Sequence, residues 1–237
     1  MVKILDCTTR DGGHSTNWFF EKTFVDNLIS NLNKEKIEYY EIGYRNFYDK
    51  ENKGNFFYCT PTFLKEYYTK KNKLKMGIMV DTSRYNEADF PEVQNDYVDF
   101  IRIATHPDKI KKTLEIAFNL YNKGYKILVQ LMEIPNVAEE HYKILREWKH
   151  KDILESLYIA DSYSTVRPED LKKYFNKLNS IGFEHISFHA HNKHGHALEN
   201  TLRAIELGAY SVDVTHNLNT TNLDSEDLFK HINTYSS

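Results

Sequence analysis

Apolar, β-leaning runs alternate with stretches of helical period along nearly the whole chain. The runs fall at 2–5, 37–42, 74–80, 98–103, 126–131, 157–160, 185–188 and 211–214. Between them, apolar residues recur every three to four positions. They predict helices near 23–32, 62–69, 86–94, 107–121, 138–149, 168–180 and 193–207, with a last one at 224–232. Pro168 at a helix start and Gly124, Gly182 and Gly208 after helix ends mark boundaries. About eight strand-helix units of roughly 30 residues each match the arithmetic of a (β/α)8 TIM barrel, so one α/β domain over residues 1–237 is expected. A doubly wound open sheet competes, but no GxGxxG follows the first run to favour it.

Composition narrows the function classes. Hydrophobic residues make up 41% of the 237, enough for a sizeable core. The 31 Lys+Arg against 34 Asp+Glu give a net charge of −3, which offers no general attraction for nucleic acid or an anionic membrane. The lysines of 65–75 read as the solvated face and exit of a helix. The N-terminus enters a strand with no signal-peptide pattern, and no apolar run is long enough to span a bilayer. Cys7 and Cys59 form neither a CxxC pair nor a disulfide framework, and Cys7 reads as a small buried residue. A soluble cytoplasmic protein is expected.

Candidate chemistry concentrates at strand ends. His189 and His191 stand two apart after an apolar run, so strand period 2 points both imidazoles to one face, where a strand hands over to a helix. Two half-buried histidines bonded to neighbours would give the same pattern, so a third ligand has to decide. The first run leads into TTRDGGH at 8–14. Arg10 and Asp11 there precede Gly12 and Gly13, a backbone able to turn tightly or approach a ligand closely. Alone, that pair fits a structural ion pair at a turn. With the histidines across the barrel, Asp11, His189 and His191 make a two-His, one-carboxylate set suited to Mn²⁺, Mg²⁺, Fe²⁺, Co²⁺ or Zn²⁺. Glu41, Arg45, Asp81, Thr105, His106, Gln130, Glu133, Asp161, Ser162, Thr215, His216 and Asn217 flank the other strand ends. Their convergence on one rim points to an active site.

LDCTTRDG at 5–12 is similar to the LDTTLRDG opening of the metal-dependent lyases called DRE-TIM metallolyases. HAHN at 189–192, followed by Gly195 and Asn200, matches a second motif of that group. Within it the chain most resembles the 4-hydroxy-2-oxovalerate aldolases, through RDGGH at 10–14, RIATH at 102–106 and ADS at 160–162. The resemblance implies metal ligation by Asp11, His189 and His191, with Mn²⁺ or Mg²⁺ foremost and Zn²⁺ or Co²⁺ as alternatives. It makes Arg10 the stabiliser of an enolate oxygen and His14 the base for a substrate hydroxyl. Glu41, Arg102, His106, Gln130, Asp161 and Ser162 are then expected at a small 2-oxo acid substrate.

The pattern departs from the group after the last run. Residues 215–222 carry no glycine, and Asn222 is the candidate further ligand there. Tyr163 stands where smaller residues are commoner. The chain ends after one short helix, so a region for engaging an aldehyde dehydrogenase, and channelling to one, is not expected. A homodimer through outer helices is the partner arrangement such barrels allow. The leading expectation is a carbon-carbon lyase working through a pyruvate enolate. An acyl-CoA condensing enzyme or HMG-CoA lyase-like enzyme is the nearest rival, and a non-catalytic binding barrel the alternative from another class.

Overall fold

The computed structural model describes residues 2–35, 37–47, 52–216 and 222–232. Among them eight parallel strands close into a barrel in sequence order. They are β1 (Lys3–Asp6), β2 (Tyr39–Tyr44), β3 (Lys75–Asp81), β4 (Phe100–Thr105), β5 (Lys126–Leu131), β6 (Leu154–Ala160), β7 (Ile186–His189) and β8 (Ser211–Val214). The connecting helices are α1 (Thr8–Thr16), α2 (Lys22–Lys34), α3 (Asn55–Tyr58), α4 (Pro61–Tyr68), α5 (Ile110–Asn122), α6 (Glu139–Glu147), α7 (Pro168–Ser180) and α8 (Ala197–Glu206). A last helix, α9 (Ser225–Ile232), follows the barrel. No helix among the described residues is long and apolar enough to cross a membrane.

Strand alternation sorts side chains into two cores. Ile4, Tyr40, Ile101, Ile103, Ile127, Val129, Leu157 and Ile159 face the helices and join the large outer cluster. Their neighbours Leu5, Tyr39, Phe100, Leu128 and Tyr158 fill the barrel axis as a separate cluster. Two residues further along the strands, the same face carries Glu41, Arg102, Gln130, His189 and Asp213. The axis is thus apolar below and charged above, and the charged layer lies under the C-terminal rim.

The β7–β8 seam has one ladder pair, Phe188 with Val212. Side chains bridge it instead. Ser187 Oγ lies 2.8 Å from Ser211 Oγ, and His189 Nδ1 lies 2.7 Å from Asp213 Oδ2. Helix stops follow the expected glycines, with left-handed backbone at Gly124 and Gly208 (φ 91° and 86°).

Three local expectations are corrected. Residues 86–94 form two short 3₁₀ turns, Glu87–Asp89 and Val93–Asn95, because Pro91 between them interrupts a helical ladder. α8 starts at Ala197 and not at Lys193: Gly195 takes φ 82°, and Asn192 Oδ1 accepts from Ala197 N at 3.1 Å. Residues 8–14 are not a turn but the opening of α1.

Candidate metal and enolate site

α1 follows β1 almost without a break. Asp6, the last residue of β1, holds the first residue of α1, its carboxylate accepting from Thr8 N at 3.0 Å and Thr8 Oγ1 at 2.7 Å. Helical spacing then sets Arg10, Asp11 and His14 on one face, since residues three and four apart are neighbours. Gly13 is needed for close approach and not for a turn, because a Cβ there would meet the Trp18 ring at 2.1 Å. Trp18, itself in the left-handed region (φ 58°), folds back and donates Nε1 to Arg10 O at 3.0 Å. His14 meets the Trp18 ring edge-on, with centroids 4.8 Å apart.

Across the rim, His189 and His191 turn Nε2 toward Nε2 at 3.3 Å. His189 Nδ1 faces Asp213 Oδ2 at 2.7 Å, and His191 Nδ1 faces Asp161 O at 3.0 Å. Both partners are acceptors, so each ring carries its proton on Nδ1 and the two Nε2 lone pairs meet. That arrangement repels unless a cation or a proton lies between them. Burial, helped by His189, pushes His191 down to about 4, which leaves its Nε2 bare near neutral pH. Burial opposes ionisation of Asp11, but the Arg10 guanidinium foremost outweighs it and holds the carboxyl below its ordinary value. One ligand atom from each of Asp11, His189 and His191 lies within 4.8 Å of the others. Two imidazoles that turn Nε2 to one point and a carboxylate, with the Asp213 carboxylate fixing one imidazole from behind, fit a divalent ion. Cys7 Sγ also lies near His189 and Asp213, but burial pushes its thiol well up and it bonds Val214 O. Asn222, buried and bridged to His191, stands beside Cys7. Asn217, in the preceding loop, lies outside the described residues.

Glu41 and Arg102 were expected at the substrate. Both are fully buried in the layer beneath the rim, 0% exposed, and meet each other. Arg102 donates Nε to Glu41 Oε2 and Nη1 to Asp213 Oδ2, each at 2.6 Å. Arg10 donates Nε to Glu41 Oε1 at 2.6 Å and Nη1 to Asp11 Oδ1 at 2.7 Å. A single chain of ion pairs therefore runs Asp11, Arg10, Glu41, Arg102, Asp213, and a hydrogen bond carries it on to His189. Two guanidiniums against three carboxylates leave it one negative charge, suited to a bound dication. Arg10 Nη2 remains buried without a hydrogen bond.

The other expected residues divide. Gln130 is buried, with Oε1 unpartnered. Asp161 accepts from Thr165 N and Val166 N through Oδ1, and its buried Oδ2 is unpartnered; burial raises its carboxyl. Ser162 and His106 are drawn to Glu133 at the rim's edge, Ser162 Oγ accepting from Glu133 N at 2.8 Å and His106 Nδ1 lying 3.2 Å from its carboxylate. The His106 side chain is 41% exposed. Asp213 was missed, although a carboxylate between Val212 and Val214 in a strand was a readable signal. Trp18 was missed because nothing in the sequence places it beside His14; Tyr44 ends the second strand on the same rim, but its packing against His14 is a tertiary contact.

His216 seats the chain after β8 on α1 and α2. Its N donates to Thr8 Oγ1, Nδ1 pairs with Asp6 and Nε2 with Glu35, each at 2.7 Å. Burial opposes the charge, but Asp6 and Glu35 outweigh it and raise the imidazole from 6.5 to about 9. The folded value exceeds the unfolded one, so this stabilisation is complete below pH 6.5 and is lost as pH rises through about 9. Chemical unfolding at stepped pH is expected to lose about 3 kcal/mol across that window in the native protein and far less in His216→Gln.

No family model matches the chain. It is 23% identical over 214 residues to an oxaloacetate decarboxylase of Mycobacterium tuberculosis, covering 90% of this chain and 63% of that protein. It is 26% identical over 224 residues to a 4-hydroxy-2-oxovalerate aldolase of Carboxydothermus hydrogenoformans, covering 90% and 64%. The chain thus spans less than two thirds of the length of these curated relatives. The N-terminal domain of a provisionally assigned aldolase from Bacteroides vulgatus superposes with TM-score 0.89 at 28% identity, over 99% of this chain and 80% of that one. The pyruvate-bound carboxyl transferase domain of Rhizobium etli pyruvate carboxylase shares the fold, with TM-score 0.73 at 12% identity over 98% and 43%. Fold and rim define a (β/α)8 barrel whose rim brings two histidines and one carboxylate together. The chain fits the DRE-TIM metallolyase superfamily, with aldolases and a decarboxylase among its relatives.

Proposed function

We propose that the protein is a divalent-metal-dependent aldolase that makes or cleaves a 4-hydroxy-2-oxo acid through a pyruvate enolate. The observation that carries this reading is the buried, unbonded Nη2 of Arg10, whose Nη1 holds the Asp11 carboxylate of the cluster with His189 and His191, with His14 on the same helix face. Asp11, His189 and His191 would hold the ion, which when bound polarises the carbonyl of a 2-oxo acid.

Arg10 supplies a fixed cation where the enolate oxygen forms. Glu41 and Asp11 lock two edges of the guanidinium and leave the third for the substrate, so charge develops against a donor already in place. In the cleavage direction His14 takes the proton of the 4-hydroxyl, the bond between C3 and C4 breaks, and its electrons end on the C2 oxygen. Burial, together with Arg10, Lys53 and Arg84 and against the pull of Asp11, lowers the His14 pKa. The imidazole is therefore a neutral base near pH 7. Oxaloacetate decarboxylation runs through the same enolate, which accounts for likeness to both kinds of relative; a base for a hydroxyl is needed only by the aldol reaction.

Proton NMR of pyruvate in D₂O with the purified protein and Mg²⁺ tests the reading. Loss of the methyl signal is expected, and a chelator or Asp11→Asn should each abolish it. A protein that binds metal without exchanging the methyl protons does not form this enolate.

A further inference from the structure

A cleft of ≈ 410 Å³ opens beside His14, lined by His14, Trp18, Tyr44, Phe57, Asp81, Ser83 and Arg84. Its volume lies in the range of small-molecule sites. One wall is aromatic: Trp18 packs on Phe57 with centroids 4.7 Å apart and on Tyr44 at 5.8 Å. That wall suits the carbon chain of a substrate whose reacting end lies at His14. The opposite side is charged, and its charge has no evident use within the fold.

Arg84 sits on a turn held firmly to the barrel. Its N donates to Asp81 O at 2.9 Å, while buried Thr82 bonds Ala104 O at 3.0 Å and Thr113 Oγ1 at 2.7 Å. Its guanidinium, though exposed, has no carboxylate or hydrogen-bond partner among the described residues. Lys53 approaches from the aromatic side, with Nζ 5.3 Å from the Trp18 centroid and 5.8 Å from that of Phe57. Lys109 Nζ, without a carboxylate among the described residues, donates to Ser83 Oγ at 2.6 Å. Asp81 is the carboxylate of the lining, and its Oδ1 accepts from Ser83 N at 2.6 Å within its own turn. Arg84 and Lys109, leaving Lys53 aside, therefore outnumber Asp81 on this side of the cleft.

We infer that the acceptor aldehyde carries an anionic group, a carboxylate or a phosphate, at the end remote from its carbonyl, and that Arg84 reads it. The inference rests on the aldolase reading and names the acceptor class of that same site. The aromatic wall holds the intervening carbons, and the guanidinium fork binds the anion through charge-assisted hydrogen bonds. A neutral aldehyde of equal length would leave that cation without a partner.

The Mg²⁺-loaded protein, with pyruvate, would be offered 4-oxobutanoate against butanal, and D-glyceraldehyde 3-phosphate against D-glyceraldehyde. In at least one pair the anionic acceptor is expected to lead in kcat/KM, and the winning pair tells carboxylate from phosphate. Arg84→Gln should cut the anion-to-neutral ratio of kcat/KM by about 10- to 100-fold, and Arg84→Lys should restore part of it. Equal kcat/KM for charged and neutral acceptors in both pairs, or a ratio unchanged in Arg84→Gln, overturns the inference. If the native protein fails to exchange the pyruvate methyl, the aldolase reading falls separately, and tryptophan fluorescence then decides the acceptor question. Saturable quenching by 4-oxobutanoate or the phosphate, absent with the neutral partner and lost in Arg84→Gln, sustains the anion site; no such difference removes it.

Discussion

Arg10→Lys is expected to slow metal-dependent deuterium exchange of pyruvate by about 10²- to 10³-fold, the usual effect of removing one preorganised donor from a developing oxyanion. Lysine keeps the charge but not the fork. Arg10 uses Nε on Glu41 and Nη1 on Asp11 and keeps Nη2 unbonded, three directions that an ammonium on a flexible stem cannot hold together. Because Asp11, His189 and His191 remain, metal titration of the variant should still saturate, which separates lost chemistry from a lost ion. Exchange within a few-fold of native would remove Arg10 from the enolate and leave it as a structural pair of Glu41.

Asp213→Ala should strike stability and metal binding together. Asp213 Oδ2 accepts from Arg102 Nη1 at 2.6 Å and faces His189 Nδ1 at 2.7 Å. Burial opposes its ionisation, but Arg102 and His189 hold its carboxyl below the ordinary range. Deleting the carboxylate leaves Arg102 buried with one partner fewer, a change that costs about 3–5 kcal/mol when a buried pair is broken. It also frees the His189 ring to rotate or switch tautomer, worth about 10- to 100-fold in metal affinity. Denaturant unfolding and calorimetric metal titration read the two effects. Asp213→Asn keeps an acceptor of the same shape and separates them if the alanine variant does not fold. Native-like metal affinity in both variants would show that Asp213 does not position His189.

The barrel was legible because its signal is local and repeated. Every strand buries an apolar face toward the helices, and helix stops at Gly124, Gly182 and Gly208 need only residues that tolerate positive φ. Where a local rule met a stronger neighbour, the reading slipped. Pro91 broke the helix expected over 86–94. Residues 8–14 looked like a turn because two glycines stand there, yet one of them makes room for a tryptophan.

The site divides along the same line. Asp11, His189 and His191 were nameable from residue type and position at strand ends, since period 2 and the strand-helix alternation already bring such ends to one rim. The parts played by Glu41, Arg102 and Asp213 were not nameable in the same way. Which of them meets a substrate and which meets another charge depends on their height along the barrel axis. That height is set by the register of strands far apart in sequence, and it puts all three one layer beneath the rim. The sequence by itself therefore determined the fold, the candidate ligand set of Asp11, His189 and His191, and the residues offered to chemistry. Only the tertiary structure decided which charges neutralise one another below the site and which, like Arg84, remain to receive a ligand, because ion pairing is settled by distances that closure of the barrel creates.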